Sequence, residues 1–359
     1  MATIHNPAVP PGSTVLVTGV NGFLGSHIAD QFLRNGYKVR GTVRDPIKEA
    51  WALDIFSRLY GKDKFELVGV PEMELEGAYD EAAKGVDVFA HSAAFMSFVS
   101  EADKVIPVTV AGAVNALKAA YAEPTVKRFV LTSSSAAAVG VLDSGVTVTE
   151  ESWNVKAVER AWSGPPFEQE RPLIVYEASK TESEQAIWKF HRENRSKRPD
   201  LIVNAVLPNF IVGRTVDPVG QGFRSSCGMV ASLWKGKVTP FHPAVPRQYY
   251  VDVEDTAVLH VAAALLTRIQ DQRIFAFGGR FSWDAILDAM RRLDPERNLP
   301  DNFSGGEDPN EIEPRQKAEE LLQELGRPGW TSLKNSIAAN IKGVELKELQ
   351  TGGNRKHNL

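Results

Sequence analysis

A tyrosine and a lysine that together suit acid–base chemistry stand four positions apart in the stretch YEASK. On a helix, Tyr176 and Lys180 lie on the same face. An ammonium group beside a phenol favours the phenolate, so we expect Lys180 to lower the pKa of Tyr176 from its usual value of about 10. Such a tyrosine can donate a proton to a substrate and take one back. The pattern therefore predicts a general acid on a helix.

A second pair with the same spacing, Tyr60 and Lys64, occurs earlier in the chain. Gly61 follows this tyrosine and the chain runs toward a strand, so no stable helix aligns the two side chains. The Tyr176 pair instead opens a helical stretch, YEASKTESEQAIWKFHRE. It also follows a predicted strand, FVLTSSS, that ends in hydroxyl groups: Thr132, Ser133, Ser134 and Ser135. A hydroxyl beside the tyrosine can stabilise negative charge that develops on a substrate oxygen.

The stretch TGVNGFLG carries glycines at Gly19, Gly22 and Gly25, a GxxGxxG variant of the commoner GxGxxG spacing. The first glycine permits a tight turn, the second lets the backbone approach a pyrophosphate, and the third lets a helix pack on a strand. The N-terminus of that helix offers free N–H groups to phosphates. A strand before the loop and an amphipathic helix after it predict dinucleotide binding rather than a plain turn.

The second predicted strand, YKVRGTVR, ends without the acidic residue that commonly binds the ribose 2′-hydroxyl of NAD. Val43 is uncharged, and Arg44 beside it can form a bidentate, charge-assisted pair with a phosphate. Arg40 is a second candidate for that contact, and Asp45 is expected to cap a helix that starts at Pro46. The alternative is that both arginines are ordinary surface residues. The strand end predicts NADPH or NADP⁺ as the cofactor.

Strands and helices alternate over the first two-thirds of the chain. The predicted strands are STVLVTG, YKVRGTVR, FELVGV, VDVFAHSA, KRFVLTSSS and LIVNAVLP, and helical patterns such as EADKVIPVTVAGAVNALKAAYAE lie between them. This alternation predicts a doubly wound parallel sheet covered on both faces. Beyond Pro208 the pattern is irregular, with two later helices in VDVEDTAVLHVAAALLTRI and SWDAILDAMRRL. The polar stretch DPERNLPDNFSGGEDPNEIEP is expected to be a surface loop.

Composition restricts the class of protein. The chain has 359 residues, 43% of them hydrophobic, and a formal net charge of −4, so no basic surface suggests nucleic acid. Cys227 is the single cysteine, and the histidines are not clustered, which argues against a metal site and fits a reducing compartment. The N-terminus shows no signal peptide pattern, and we expect no membrane-spanning segment. These features predict a cytoplasmic protein. We expect a monomer or a homodimer, and the sequence does not decide between the two.

The motifs together resemble the extended short-chain dehydrogenase/reductase superfamily. Within it the chain is similar to the yeast and fungal NADPH-dependent aldehyde and carbonyl reductases, relatives of plant dihydroflavonol reductases. The stretches that carry the resemblance are LVTGVNGFLGSH, YKVRGTVRDP, GAYDEAAKG, VKRFVLTSS, YEASKTESEQAIWKF, VNAVLPNFIVG, RQYYVDVEDTA and LGRPGW. The resemblance implies a Rossmann domain over residues 10–210, to which some later segments return, and a smaller C-terminal substrate lobe over residues 211–359. It also implies hydride transfer from NADPH to a small-molecule aldehyde or ketone.

The resemblance assigns roles to individual residues. Tyr176 matches the proton donor, Lys180 its partner, and Ser134 the catalytic serine, although the neighbouring Ser133 and Ser135 leave a one-place shift open. The cofactor-binding positions that it implies, beside the arginines above, are Gly19, Asn21, Gly22, Phe23, Leu24, Glu72, Met73, Ser92, Ala93, Lys180 and Pro208.

A hydride acceptor must lie between the loop after the fourth strand and the C-terminal lobe. Besides Tyr176, the expected substrate-binding residues are Phe95, Met96, Phe98, Asn209, Phe241 and Gln248, with Phe210 and Trp162 nearby. They predict a largely apolar pocket with few polar anchors, of which Gln248 is the foremost. Such a pocket suits bulky, uncharged ketones, keto esters and aldehydes.

Two other functions on the same fold remain open. A sugar-nucleotide epimerase or dehydratase shares the fold, but dehydratases carry an Asp-Glu pair after the serine position, where this chain reads SAAAVG. A binding protein that senses NADPH without chemistry is the other alternative. Such proteins typically lose the tyrosine or the lysine, and both are present here.

Overall fold

The computed structural model describes residues 4–95, 97–167 and 169–353. Met96, one of the expected substrate-binding residues, lies outside the described residues. The strands are β1 Thr14–Thr18, β2 Lys38–Val43, β3 Phe65–Gly69, β4 Val88–His91, β5 Arg128–Thr132, β6 Thr147–Val148, β7 Ile202–Pro208, β8 Phe210–Val212, β9 Arg247–Asp252, β10 Arg273–Ala276, β11 Gly279–Ser282 and β12 Glu311–Ile312. The α-helices are α1 Phe23–Arg34, α2 Ala50–Tyr60, α3 Asp80–Ala83, α4 Ala102–Ala122, α5 Val155–Ala161, α6 Arg171–Asn194, α7 Ser226–Trp234, α8 Phe241–Ala244, α9 Val253–Leu265, α10 Trp283–Leu293, α11 Arg315–Glu324 and α12 Leu333–Gly353.

The central sheet has the strand order β10-β7-β5-β4-β1-β2-β3, and within the described residues all seven strands are parallel. The chain runs outward from β1 to β3, then returns to β4 beside β1 and continues outward on the other side. The order therefore reverses between β1 and β4, where ligands bind in sheets of this kind. This arrangement confirms the predicted Rossmann-like, doubly wound α/β fold.

Both faces of the sheet are covered, which explains the apolar runs in its strands. Every residue of β7 is buried. Helices α1 and α9 pack together on one face, joined by α2 and α11, and α4 packs against α6 on the other. The predicted strands and the long helices between them are confirmed at these positions.

The last third of the chain divides between the main sheet and a second layer. Strand β10 pairs with β7, and α9 and α11 pack on the same sheet. Strands β8, β9 and β11 form a separate small sheet with α7, α10 and α12 around it, and Trp234 and Trp283 are buried in that layer. The exact boundary between a cofactor domain and a substrate lobe stays a prediction.

The polar stretch around residues 294–314 is not the plain surface loop that we expected. Its strand β12 pairs with β6, so that Glu311 lies opposite Thr147, and Asp308 and Asn310 are buried. Asn310 accepts a hydrogen bond from Val146 N at 3.0 Å and donates one to Asp143 O at 2.9 Å. Polar composition did not imply exposure here because these side chains satisfy backbone groups of another segment.

Helix α4 also departs from expectation. It has 21 residues, and its most apolar 18 residues have a mean hydropathy of 1.4, so it is long and apolar enough to cross a membrane by length and composition. The view that no stretch approaches the apolar length of a membrane span was therefore wrong for this helix, whereas the expectation of no membrane-spanning segment stays a prediction. The helix packs against α6 and the central sheet, and 56% of its most apolar stretch is buried inside the protein. A buried core helix and a membrane span share these two properties.

Candidate active site

The expected catalytic groups meet at the carboxyl end of the central sheet. Strand β5 ends at Thr132, and the chain then turns through Ser134 into a short 3₁₀ helix. Helix α6 begins at Arg171, earlier than expected because Pro172 can occupy its first turn, so Tyr176 lies in its second turn. The Ser134 Oγ atom lies 3.4 Å from the Tyr176 hydroxyl oxygen. One substrate oxygen can therefore accept hydrogen bonds from both groups.

The neighbouring serines point elsewhere. The Ser133 hydroxyl donates a hydrogen bond to Glu184 Oε2 at 2.6 Å, beneath the site. Ser135 lines a different pocket, described below. Of the three serines, Ser134 is the one that the structure brings to Tyr176, as the sequence predicted. Its catalytic role stays a prediction.

The acidity of Tyr176 differs from our expectation. Burial raises the pKa of Tyr176 above its usual value, the hydrogen bond with Ser134 opposes this rise, and the Glu177 carboxylate adds to it. Lys180 does not overcome these effects, because it too is buried: desolvation lowers the pKa of Lys180 to about 8, against the attraction of Glu184. A raised pKa keeps the proton on Tyr176 at neutral pH, as a proton donor requires.

Lys180 lies above a buried network. Its ammonium group makes no hydrogen bond or ion pair with any residue that the structure describes. One turn further along α6, the fully buried Glu184 accepts hydrogen bonds from Arg273 Nε at 2.7 Å and Trp188 Nε1 at 3.0 Å, in addition to Ser133. The network fixes the floor of the site and leaves the lysine ammonium available to a ligand.

The glycine loop has the shape of a phosphate-binding turn. Gly19 adopts a φ of +64°, a conformation that favours glycine, and a Cβ atom at Gly25 would lie 2.3 Å from Gly19 O. Helix α1 then starts at Phe23, so the N–H groups of Phe23 and Leu24 belong to its first turn. These features fit a dinucleotide pyrophosphate. The Asn21 side chain makes a hydrogen bond to Glu49. The backbone of Asn21, rather than its side chain, is therefore the part that can contact a ligand at the glycine loop.

Thr18 joins the glycine loop to the loop after β4. Its Oγ1 accepts hydrogen bonds from Ser92 N at 3.0 Å and Ala93 N at 2.9 Å, and it lies 3.0 Å from His91 Nδ1. Burial lowers the pKa of His91 to about 3, so this histidine is neutral and its role is packing and hydrogen bonding. Ser92 and Ala93 therefore lie beside the glycine loop, where the sequence placed them.

The two arginines of β2 have different surroundings. Arg40 donates to Glu66 Oε1 at 2.5 Å and to the carbonyl oxygens of Ala82 and Lys84 at 2.8 and 2.7 Å. It lies three residues before the strand ends, and these partners occupy its Nε and Nη1 atoms, so Arg40 is less available to a phosphate and its cofactor contact stays a prediction. Arg44 follows the strand, is exposed, and has no partner within the described part of the chain.

The turn after β2 adds a second cation that the sequence analysis missed. Lys48 is exposed on the same turn as Arg44, and its Nζ lies 3.5 Å from Asp45 Oδ2. Asp45 accepts from the backbone N–H groups of Ile47 and Lys48, and these bonds lower its pKa. Asp45 thus caps this turn, while α2 starts later than predicted, at Ala50. The spacing from Arg44 to Lys48 was the available signal.

The remaining expected cofactor residues lie around the same edge of the sheet. Glu72 is exposed and Met73 half-buried just after β3, where a Cβ atom at Gly112 would come within 3.0 Å of the Met73 side chain. Pro208 ends β7, and Asn209 follows it with its N–H bonded to Ala276 O. All of them are placed consistently with a dinucleotide that crosses the carboxyl edge.

The expected substrate residues divide into two groups. Phe98 lies with its ring centroid 5.3 Å from that of Tyr176 and 5.9 Å from that of Phe241, and Phe95 is exposed on the same loop. These aromatic rings form what we call the aromatic mouth: Phe95, Phe98 and Phe241. Asn209 and Gln248 instead line a separate pocket with Ser135 and Asp308. The structure therefore does not bring the expected residues into one pocket, and the largely apolar substrate pocket stays a prediction.

Two further aromatic residues do not line the site. Phe210 packs in the core of the small sheet, 5.1 Å from Phe281 and 5.4 Å from Trp283 between ring centroids. Trp162 is exposed and donates to Glu182 at 2.6 Å. The second tyrosine–lysine pair is also remote from this chemistry, because Tyr60 ends α2 and donates to Asp30.

Comparison with known proteins shows to which family the chain belongs. The model of the NAD dependent epimerase/dehydratase family matches residues 15–278. The chain belongs to this family. It is 41% identical over 340 residues to aldehyde reductase 2 of Sporidiobolus salmonicolor, an alignment that covers 94% of this chain and 97% of the relative. It is 37% identical over 347 residues to the ketoreductase adrE of Penicillium rubens, covering 95% and 99%.

A solved structure agrees with these relatives. The crystal structure of yeast methylglyoxal/isovaleraldehyde reductase Gre2 complexed with NADPH has a TM-score of 0.77 to this chain at 25% identity, covering 93% of this chain and 99% of that one. The similarity spans both the central sheet and the late segments. The predicted membership of the extended dehydrogenase/reductase superfamily is thereby confirmed, and its members' names support carbonyl reduction as the general activity.

Proposed function

We propose that this protein is an NADPH-dependent carbonyl reductase that converts aldehydes and ketones to alcohols, with Tyr176 as the proton donor. The observation that carries the proposal is the arrangement of three side chains. The hydroxyl groups of Ser134 and Tyr176 lie 3.4 Å apart, and Lys180 follows one helical turn later with an ammonium group that no described residue binds. The Ser133 hydroxyl donates its hydrogen bond to Glu184, so Ser134 rather than Ser133 is the serine that can act together with Tyr176.

The groups that would hold the cofactor follow the edge of the sheet. The first turn of α1 would present the N–H groups of Phe23 and Leu24 to the pyrophosphate, and the exposed Arg44 and Lys48 would bind the 2′-phosphate. The free ammonium of Lys180 suits the hydroxyl groups of the nicotinamide ribose. The NADPH bound by Gre2 supports this choice of cofactor.

When bound, NADPH supplies a hydride to the carbonyl carbon and becomes NADP⁺. Negative charge then develops on the carbonyl oxygen, where the Ser134 hydroxyl donates a hydrogen bond. The Tyr176 hydroxyl donates its proton to that oxygen, which balances the reaction as carbonyl plus hydride plus proton to alcohol. Lys180 stabilises the tyrosinate that remains until a proton from solvent replaces the one that was lost.

The substrate side favours uncharged compounds. The aromatic mouth offers ring surfaces above Tyr176, with Phe98 in contact with the tyrosine ring. Such surfaces bind aliphatic and aromatic ketones, keto esters and aldehydes through burial of apolar area. Phe95, Phe98 and Phe241 carry no positive charge that could pair with the phosphates of a sugar nucleotide.

The test is an NADPH-oxidation screen against aldehydes, β-keto esters, aryl ketones and flavonoid ketones, followed by identification of the alcohol. We expect turnover of several hydrophobic carbonyl compounds with NADPH and much slower turnover with NADH. Efficient conversion of a nucleotide sugar, with poor turnover of every hydrophobic ketone, would instead support an epimerase or dehydratase. Tight NADPH binding with no turnover of any carbonyl would support a sensing role.

A further inference from the structure

A segment that the proposed chemistry leaves unused contacts the glycine loop from far along the chain. It comprises residues 216–224, between β8 and α7, and we call it the clasp. Within it Gln221 is only 3% exposed. The Gln221 side-chain amide donates through Nε2 to Gly22 O at 2.9 Å and to Ser26 Oγ at 2.8 Å. The clasp therefore touches the loop that is expected to bind the cofactor pyrophosphate.

The orientation of the Gln221 amide is fixed by its other end. Its Oε1 accepts a hydrogen bond from Val216 N at 3.0 Å, so the amide nitrogen is the atom that faces Gly22 O. The clasp is itself a compact turn, because Gln221 N donates to Asp217 O at 3.0 Å and Val219 N donates to Asp217 Oδ1 at 3.0 Å. One end of the amide is thus held within the clasp, and the other end reaches the glycine loop.

A second contact joins the clasp to the same loop. Arg224 Nη2 lies 3.1 Å from both carboxylate oxygens of Glu49. Glu49 in turn makes a hydrogen bond with the Asn21 side chain. The backbone of the clasp also lies close to α2, since a Cβ atom at Gly220 would come within 2.6 Å of the Trp51 side chain. The clasp therefore reaches the glycine loop by two routes, directly through Gln221 and indirectly through Glu49.

The contact with Gly22 O affects how the loop presents its N–H groups. Gly22 precedes α1, and its carbonyl accepts from Ser26 N at 3.1 Å as well as from Gln221. In a trans peptide the carbonyl and the following N–H point in opposite directions, so a fixed Gly22 O also fixes the direction of the Phe23 N–H. A first-turn N–H has no partner within its helix. Hydrogen bonds to the carbonyl polarise the peptide unit, which makes this N–H a stronger donor.

We infer that Gln221 is a positioning residue for the cofactor: it holds Gly22 O from the clasp and so aims the Phe23 N–H at the dinucleotide pyrophosphate. The inference rests on the proposed NADPH-dependent activity and adds a residue to that cofactor site. Gln221 acts through Gly22, because its own amide is bonded to protein groups. NADPH and NADH share the pyrophosphate, so the loss of Gln221 should weaken both to the same extent.

Gln221→Met removes the amide at nearly constant volume, and titration with NADPH, NADH and 2′-AMP tests the inference. We expect the Kd of each dinucleotide to rise by about tenfold, the loss typical of a weakened hydrogen bond to a charged group. The ratio of the NADPH and NADH constants should stay that of the unmodified protein. The Kd of 2′-AMP should not change, because this ligand carries a 2′-phosphate and no pyrophosphate. Arg44→Ala should instead weaken NADPH and 2′-AMP and leave NADH nearly unchanged.

Gln316→Met is the matched control and should leave all three constants unchanged, since Gln316 is exposed on α11 and donates to Glu320. Urea denaturation separates positioning from stability. If Gln221 were purely structural, Gln221→Met would lower the free energy of unfolding with no change in Kd, and that result would overturn the inference. Ser26→Ala removes the other acceptor of the amide and should weaken both dinucleotides by about twofold or less. A loss as large as that of Gln221→Met would overturn the assignment to Gly22 O.

Gln221→Asn decides if Gln221→Met does not fold. Its neutral amide is one methylene shorter and cannot span from Val216 N to Gly22 O, so both dinucleotides should again weaken while 2′-AMP does not. Unchanged dinucleotide constants in Gln221→Asn, or a loss confined to NADPH, would overturn the inference and leave the reductase proposal intact. Binding of neither dinucleotide by the unmodified protein would overturn the proposed cofactor, and the inference with it.

Discussion

The cofactor end and the substrate end of the site are assembled from the chain in different ways. The glycine loop, the first turn of α1 and the turn after β2 lie within residues 19–48, and β1 and β2 pair directly, Thr18 opposite Thr42. The polar pocket beyond the site instead joins Ser135, Asn209, Gln248 and Asp308, which lie on segments far apart in sequence. Local spacing determines the first region, whereas the second depends on tertiary packing. Apart from those in the clasp, substitutions at the cofactor end are therefore expected to act locally, whereas substitutions at the substrate end are expected to act through tertiary packing.

The largest effect is expected at the point where both ends meet. Tyr176→Phe removes the phenolic proton and keeps the ring that contacts Phe98, so kcat should fall by about 10²–10⁴-fold while the NADPH Kd stays nearly the same. Steady-state reduction and a fluorescence titration with NADPH measure the two quantities. Tyr60→Phe is the control, because Tyr60 has the same spacing to a lysine but bonds to Asp30. Loss of activity in Tyr60→Phe and not in Tyr176→Phe would show that the wrong pair was chosen.

The sequence allowed the central sheet and the cofactor end to be predicted because their signals are local. Glycine spacing, apolar strands and the Tyr176–Lys180 interval all act over a few residues. The protein partners of Arg40 could not be predicted, because the strand pattern does not show that Glu66 and two carbonyl oxygens accept its hydrogen bonds. The burial of Asp308 and Asn310 could not be predicted, because a polar segment suggests a surface loop and the sequence pattern does not show that β12 pairs with β6. We expected the pKa of Tyr176 to fall, because the spacing of Tyr176 and Lys180 does not show that both side chains are buried.

The second effect concerns the buried ion pair beneath the site, whose two residues lie far apart in sequence. Arg273 at the start of β10 pairs with the fully buried Glu184 of α6 at 2.7 Å. Arg273→Met leaves that carboxylate buried without its cation, so we expect the free energy of unfolding to fall by about 3–5 kcal/mol. Urea denaturation measures it.

Arg268→Met is the matched control for Arg273→Met. Arg268 also pairs with a glutamate, Glu324, but both side chains are largely exposed. An exposed pair contributes about 1 kcal/mol or less to stability. Similar losses in the two variants would contradict the view that β10 anchors the floor of the substrate end.

The serine cluster gives the third effect. Ser134→Ala removes the hydroxyl that faces Tyr176 and should lower kcat by about 10²–10³-fold, with little change in NADPH binding. Ser133→Ala should act mainly on stability, because Ser133 donates to Glu184. Ser135→Ala should change kcat little, because Ser135 lines a different pocket. Steady-state kinetics with a hydrophobic ketone and urea denaturation separate the three variants, and a larger kcat loss in Ser133→Ala or Ser135→Ala would move the catalytic assignment by one place.

The fourth effect tests the cofactor end alone. Arg44→Ala should weaken NADPH binding about tenfold or more, since a charge-assisted contact with the 2′-phosphate is lost, and should leave NADH binding nearly unchanged. Titration of both cofactors measures the selectivity. Arg40→Gln is the control and should leave the NADPH-to-NADH ratio unchanged, because its partners are protein groups. Equal affinities for the two cofactors in the unmodified protein would contradict the assignment of this turn.

The smallest effect is a pH dependence at Lys180. Burial disfavours its charged form and lowers its pKa to about 8, so the ammonium is present below that pH and is lost above it. Because the charged lysine would stabilise the tyrosinate and hold the ribose, kcat/KM should fall by about twofold between pH 7 and pH 8 and by about fivefold between pH 8 and pH 9. Burial also raises the pKa of Glu177 to about 7, and Glu177 lies beside Tyr176. The profile of Glu177→Gln therefore separates the two groups: it should keep the alkaline decline if Lys180 causes it. A decline that vanishes in Glu177→Gln would assign the titration to Glu177, and a flat profile in the unmodified protein would remove Lys180 from the proton chemistry.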